Sequence, residues 1–364
     1  MEKRINIICN YSSLYAGNFI PSILKLCEKL DFEVIVFSFP VEAENRNWVE
    51  YIKSKGYKVF FYRKKFFNKD IKLINSRNSI NVIYTHFISG LKIKMVVPFN
   101  RRIKLFIHVH SDFSGNKKIS LKRRIITMFE RMFIRTDAIY IFVSKPLCLK
   151  SKFKHRFFVQ NALCLDRIVA RELNIDDFLK RNNIHKQDTI FLLFGWSPYV
   201  KGVDLAVKSF MSVPDDLQNK AKLIIVHGKD DGKRECINYL VDRLHDKSFL
   251  NNQNIIFIPP EEDVFSLYNI SDIYIMASRS EGFSYSTLES LFFNLLCIVN
   301  DIEGVAWAKQ FKSCLFFKRD SVIDLANLIK KCIGTKSLHK KKNDIAKKYD
   351  IEEWANKIKT ILNT

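Results

Sequence analysis

Short apolar runs recur along the whole chain, separated by segments in which apolar residues return every three or four positions. In the first half the runs fall at 5–9, 34–37, 59–62, 82–84, 105–109 and 139–143. In the second they fall at 190–194, 223–226, 255–258, 273–276, 296–299 and 315–317. Most are nearly continuous Val, Ile, Leu and Phe, the pattern of strands covered on both faces. The first intervening segment places Ile20, Ile23, Leu24, Cys27 and Leu30 on one helical face, with Asn18 predicted as N-cap and Pro21 in the first turn. Repeated strand–helix units predict parallel sheets. Two sets of about six strands predict two doubly wound α/β domains, over 1–170 and 186–348. The boundary is marked by the polar stretch Arg181-Asn182-Asn183-Ile184-His185-Lys186-Gln187-Asp188. The last segment, about 350–364, reads as a helix carrying Trp354 that packs back on the first domain.

Composition narrows the class. The 364 residues are 47% hydrophobic and 27% charged, a globular balance. No apolar run reaches the roughly 18 residues of a spanning helix. The first residues, broken by Asn6 and Asn10, make no signal-peptide pattern, so a cytoplasmic chain is expected. The 8 cysteines form no C-x-x-C pair and read as reduced, buried thiols.

Charge changes the picture further. The net charge is +22, and residues 1–160 hold 31 basic against 11 acidic side chains, leaving 29 against 27 for the remainder. One half is a polycation, which points to an anionic partner: a nucleic acid, an anionic membrane surface or a phosphorylated substrate.

Three loops at strand ends are candidates for ligand chemistry, because open α/β sheets bind ligands there. The first runs from Ser280 through Glu281, Ser284, Tyr285 and Ser286 to Glu289, between a strand and a helix. Amide groups of Ser284, Tyr285 and Ser286 at a helix start suit an anion. The flanking Glu281 and Glu289 suit the hydroxyls of the same ligand. The structural alternative is a capping box, Ser286-x-x-Glu289. The second loop runs from Gly195 and Trp196 to Lys201, Gly202 and Asp204, where Lys201 can meet a diphosphate or simply be solvated. The third ends at Gly17 before the first helix, either a phosphate contact or a plain turn.

Histidines offer a fourth site. Strand alternation puts His108 and His110 on one face, with His110 at the strand end. The spacing supplies no third ligand, so no metal is expected there. His86 also ends a strand, as hydrogen-bonded structure or as part of a site. The fifth candidate is the basic segment 116–133, whose apolar face reads either as core or as a membrane-surface contact. The chain lacks G-x-G, a P-loop lysine motif, D-x-D and G-x-S-x-G.

Taken in order, these elements resemble the retaining, GT-B-fold glycosyltransferases of family 4, the glycosyltransferase group 1 domain family. The resemblance rests on the E-x7-E element from Glu281 to Glu289, preceded by Ser271-Asp272-Ile273 and Ser278. It extends over the Gly17 loop, Thr85-His86, His110, Asp137-Ala138 with Ser144, Asn161, Gly195 to Asp204, and the Trp354 helix. The implied fold is two Rossmann-like domains facing a central cleft, with the nucleotide-sugar donor held mainly by the C-terminal one. The resemblance assigns Glu281 to donor-sugar hydroxyls, Glu289 to the ribose, and the Ser284–Ser286 amides to the diphosphate. It assigns Lys201 to the leaving diphosphate in place of a metal, and His110 and the Gly17 loop to the donor from the N-terminal side. Trp196 stands where the family usually carries Arg; Asn294 and Leu296 stand where it carries Gly and Pro. The loop 301–305 keeps its last glycine, Gly304, and lacks the usual pair.

The implied activity is metal-independent, retaining transfer of a sugar to a lipid-linked or oligosaccharide acceptor in surface-polysaccharide assembly. The basic N-terminal domain then lies against the inner face of the membrane, and no nucleic acid is expected. Two rivals remain at this stage: a sugar-nucleotide epimerase or hydrolase of the same fold, and a basic nucleic-acid-binding protein.

Overall fold

The computed structural model describes residues 2–88, 92–93, 103–110, 137–166, 168, 172–228, 232–260, 263–336 and 344–364. The basic segment 116–133 lies outside them. The chain divides into two compact units, one of residues 1–168 and 349–364, the other of residues 169–348.

Unit 1 is built on a parallel sheet ordered β3-β2-β1-β4-β5-β6-β7. Its strands are β1 (Arg4–Cys9), β2 (Val34–Pro40), β3 (Lys58–Tyr62), β4 (Val82–His86), β5 (Lys104–Val109), β6 (Ile139–Phe142) and β7 (Arg156–Phe158). The order reverses between β1 and β4, so the loops after these strands flank a topological switch point. Both faces are covered, which explains the unbroken apolar runs. One face carries the helices Phe19–Lys29 and Ile351–Asn363, which pack Phe19, Ile20, Ile23 and Leu24 with Trp354, Ala355, Ile358 and Leu362. The other carries the helix Phe67–Arg77 through Ile71 and Ile74. Asn6, polar inside β1, is satisfied within the core: it donates to Asn75 (2.7 Å) and accepts from Ser38 (2.8 Å).

Two local expectations are corrected here. Asn18 does not cap its helix; it has helical dihedrals, and its amide instead exchanges hydrogen bonds with the backbone of Cys164. The edge strand β7 was not predicted, because its three residues are exposed and carry no core signature.

Unit 2 repeats the scheme, with a parallel sheet ordered β10-β9-β8-β11-β12-β13. Its strands are β8 (Thr189–Phe194), β9 (Ala221–Val226), β10 (Ile255–Ile258), β11 (Ile273–Met276), β12 (Leu296–Asn300) and β13 (Cys314–Phe317). The switch point lies between β8 and β11. All 8 cysteines are buried and unpaired, as expected. Among the described residues no helix is long and apolar enough to cross a membrane.

Candidate functional site

In unit 2 the loops after β8 and β11 leave the sheet side by side, at the switch point. The first loop turns through the short helix Pro198–Lys201 and, at Gly202, enters the helix Val203–Met211. The second enters the helix Tyr285–Phe292. They are tied together by the Arg279 amide donating to the Val200 carbonyl (2.8 Å).

This adjacency brings together residues far apart in the sequence. Lys201 Nζ lies 2.6 Å from Glu281 Oε1, and each side chain is 13% exposed. The Ser278 hydroxyl donates to the same oxygen at 2.8 Å. Both bonds fall on Oε1, and Oε2 takes none among the described residues. The carboxylate is therefore held rigidly with one acceptor lobe available to a ligand. The exposed Trp196 ring lies under the Lys201 ammonium, 4.7 Å from its centroid, a cation–π contact that aims the charge. Trp196 thus adds no cation of its own but orients one.

Two glycines fix both members of the pair. Gly202 has φ +66°, and a Cβ there would sit 2.1 Å from the Ala277 carbonyl oxygen. At Gly304 a Cβ would sit 1.8 Å from the carbonyl oxygen of Glu281 itself. The backbones therefore approach to distances that only glycine permits. The glycine retained in the 301–305 loop is thereby explained. Asn294, with φ +57°, holds the left-handed turn after the helix in place of glycine.

Behind the loops lies a second ion pair. Arg279 forks onto Asp204 at 2.8 and 2.7 Å, with both side chains largely buried. Burial alone would raise the Asp204 carboxyl; the Arg279 fork and its charge outweigh it and hold it below the usual carboxylate range. Arg279 also covers the Tyr199 ring at 4.7 Å.

The start of the helix Tyr285–Phe292 differs from the capping-box alternative. Ser284, not Ser286, is the N-cap, and its hydroxyl accepts from the Thr287 amide at 3.3 Å. Ser286 instead bonds Tyr274 (2.6 Å), whose hydroxyl burial pushes strongly towards the neutral form. Glu289 is buried and accepts from the Tyr268 hydroxyl at 2.8 Å. Among the described residues this carboxylate is thus held by a side chain of the neighbouring helix Val264–Ile270 rather than by the backbone of its own helix start. The first amides of a helix lack intrahelical acceptors, so this end suits an anion.

Gly17 and His110 lie in unit 1. Gly17 has φ +56° in the turn before the first helix. His110 follows β5 and shares a hydrogen bond of 2.9 Å between its Nε2 and His86 Nδ1. His86 ends β4, and the register sets it beside His108. His108 Nδ1 meets the Tyr84 hydroxyl at 2.5 Å. One nitrogen of each imidazole lies within 4.8 Å of the other two. Burial lowers all three, holding His86 and His108 neutral and bringing His110 to about 3. The third histidine that linear spacing did not supply thus comes from a neighbouring strand. Tyr84, Tyr268, Tyr274 and Arg279 also escaped sequence reading, since only strand adjacency relates them to the loops.

Comparison with known proteins bears on the family and the fold. The sequence model of the family described as Glycosyl transferases group 1 matches residues 174–350, nearly all of unit 2. A curated relative, N,N'-diacetylbacillosaminyl-diphospho-undecaprenol alpha-1,3-N-acetylgalactosaminyltransferase of Campylobacter jejuni, is 29% identical over 127 residues. That stretch is 35% of this chain and only 30% of the relative's length. Among solved structures, HepE of Anabaena in complex with UDP and glucose superposes with a TM-score of 0.76 at 12% identity, covering 100% of both chains. Sucrose-phosphate synthase of Thermosynechococcus elongatus gives 0.73 at 13% identity, over 99% of this chain and 98% of that one. WaaG, described as a glycosyltransferase of lipopolysaccharide biosynthesis, gives 0.64 at 13% identity, over 99% and 95%. These likenesses establish the α/β GT-B fold, and the family match supports glycosyltransferase activity.

Proposed function

We propose, from the group 1 glycosyl transferase match over unit 2 and its switch-point geometry, that the protein is a retaining glycosyltransferase. It takes a sugar from a nucleoside-diphosphate donor and adds it to a lipid-linked or oligosaccharide acceptor during surface-glycan assembly. The observation that carries this reading is the Lys201–Glu281 pair beside the start of the helix Tyr285–Phe292. A lone carboxylate would repel a diphosphate. A carboxylate already bonded to Lys201 and Ser278, with Oε2 available, instead suits a neutral sugar hydroxyl.

Donor binding moves the Lys201 ammonium towards the diphosphate oxygens, where the amides of Ser284, Tyr285 and Ser286 add dipolar stabilisation. Glu281 accepts from sugar hydroxyls, and Glu289, near Tyr268, accepts from the ribose. In the transfer step the bond between the anomeric carbon and the β-phosphate oxygen breaks. The acceptor hydroxyl oxygen bonds to that carbon on the same face, and its proton passes to the departing diphosphate. The protein's main contribution is electrostatic stabilisation of the leaving group. Lys201 and the helix start serve in place of a metal on the diphosphate.

The acceptor class is supported by the relative, whose name specifies a diphospho-undecaprenol substrate. A peripheral position on the inner membrane face is supported by the basic excess of residues 1–160. Exposed Phe66 and Leu73 beside Lys64, Lys65, Lys69 and Lys72 support it too.

The test is a thermal-shift titration of chelator-treated protein with UDP, GDP, ADP and CDP, beside a single-stranded RNA. One nucleoside diphosphate is expected to stabilise the protein saturably without Mg²⁺, by about 2.7 kcal/mol at 100 times Kd. A response to RNA alone, lost at high salt, would identify a nucleic-acid-binding protein instead.

A further inference from the structure

Side-chain hydroxyls are linked in a chain at the end of unit 2 that carries the Lys201–Glu281 pair. On the nucleotide-sugar reading of that site, we propose that this chain makes the Ser286 hydroxyl a dedicated proton donor to the diphosphate, with the buried Tyr274 as its positioning residue.

The direction of each hydrogen bond follows from counting protons, since a hydroxyl has one proton and two lone pairs. Ser284 Oγ accepts twice from Thr287, from its amide at 3.3 Å and from its hydroxyl at 2.9 Å. Both lone pairs of Ser284 are then taken, so its own proton goes to Ser286 Oγ, 3.2 Å away. Ser286 Oγ accepts a second time from the Tyr274 hydroxyl, at 2.6 Å. Tyr274 lies inside β11 and is 3% exposed. Burial penalises the phenolate and keeps the proton on Tyr274. Both lone pairs of Ser286 Oγ are therefore occupied, and its own proton meets no acceptor among the described residues. The Ser286 carbonyl is engaged as well, by the Ser290 hydroxyl at 2.6 Å and the Tyr268 hydroxyl at 3.4 Å. The Ser286 amide lies in the first helical turn, where intrahelical acceptors are lacking. Ser286 is partly exposed and so presents two protons to a ligand and no lone pair.

Such a residue suits oxygens that only accept. Diphosphate oxygens do so and carry charge, and a charge-assisted hydrogen bond is about twice as strong as a neutral one. The two bonds that Ser286 Oγ accepts also polarise its own O–H and strengthen it as a donor. A sugar hydroxyl can accept too, but without the charge. Glu281 offers the complement, an acceptor for sugar hydroxyls. Tyr274 acts through Ser286: it holds the lone pairs of that oxygen inward and its proton outward.

The test measures binding of UDP, GDP, ADP and CDP by calorimetry to the full chain, as wild type and as Ser286→Ala, Ser286→Thr, Tyr274→Phe and the double variant Tyr274→Phe/Ser286→Ala. For the nucleotide that binds the wild type, Ser286→Ala is expected to weaken binding at least about tenfold and Tyr274→Phe about three- to tenfold. Ser286→Thr keeps the hydroxyl and is expected to retain most of the affinity. Tyr274→Phe is expected to cost nothing further in the Ser286→Ala background, because its effect passes through that hydroxyl. Circular dichroism checks that each variant folds. Should Tyr274→Phe fail to fold, Ser286→Ala against Ser286→Thr decides. Equal affinity of the wild type and Ser286→Ala overturns the hydroxyl contact while leaving the nucleotide-sugar reading intact. Additive losses in the double variant overturn the positioning role and leave Tyr274 as core. A wild type that binds none of these nucleotides overturns the nucleotide-sugar reading, and the role of Ser286 with it.

Discussion

At the ends of β4 and β5, unit 1 packs three neutral imidazoles, two of them fully buried, among Phe19, Tyr84 and Phe87. At the ends of β8 and β11, unit 2 buries charges in pairs, Lys201 with Glu281 and Arg279 with Asp204. The two units repeat one topology but solve the cost of burying polar groups differently. Burial can be met by giving up charge, as in unit 1, or by pairing it, as in unit 2. The first solution leaves His86 Nε2 and His108 Nε2 buried without a hydrogen-bond partner. The second leaves a cation that an incoming diphosphate can take over and a carboxylate with a lobe to spare. Similar folds thus present opposite chemistries at the carboxyl ends of neighbouring central strands.

The largest expected effect breaks the pairing in unit 2. Asp204→Asn leaves the Arg279 guanidinium, 12% exposed, with the neutral Tyr199 carbonyl at 2.7 Å and, as the remaining carboxylate among the described residues, Asp320 at 3.7 Å. Loss of one partner of a buried pair costs about 3–5 kcal/mol. Chemical denaturation should show that loss in the transition of unit 2 and leave unit 1 unchanged.

A smaller effect sharpens the comparison through pH. Unfolded histidines take up a proton near pH 6.5, whereas burial lowers His86 and His108 well below that value in the fold. Below about pH 6.5 the unfolded chain therefore binds more protons, and unit 1 loses stability as the pH falls. The slope approaches about 1.4 kcal/mol per histidine per pH unit. Asp204 behaves oppositely: its carboxyl is held low, so its contribution persists until the pH falls through the carboxylate range. Melting curves between pH 7 and 5 should therefore show unit 1 weakening first. Parallel losses in both units would contradict the distinction.

How much of this was legible in the sequence follows from the range of the interactions. The strands were readable because continuous apolar runs report burial on both faces, and β7 was not, because its residues are exposed. Glu281, Lys201 and Trp196 were readable as loop residues at strand ends. That Lys201 and Glu281 form one pair was not, since it follows from β8 lying next to β11. The alternative of a capping box at Ser286 gives way to a cap at Ser284, because the two serines are equally good caps in sequence and only the turn geometry chooses. The histidine cluster was half legible. Alternation along β5 relates His108 to His110, but only the β4–β5 register adds His86.

The central claim is that the paired charges of unit 2 carry the chemistry. It is tested most directly by measuring sugar transfer to an undecaprenyl-diphosphate-linked acceptor with wild-type protein, Lys201→Ala and Glu281→Ala. Donors are drawn from the nucleotide class that binds. The account predicts transfer by the wild type without added metal, and a fall of about 10²–10³-fold in each variant. Full activity in either variant, or no transfer from any nucleotide sugar by the wild type, would contradict it.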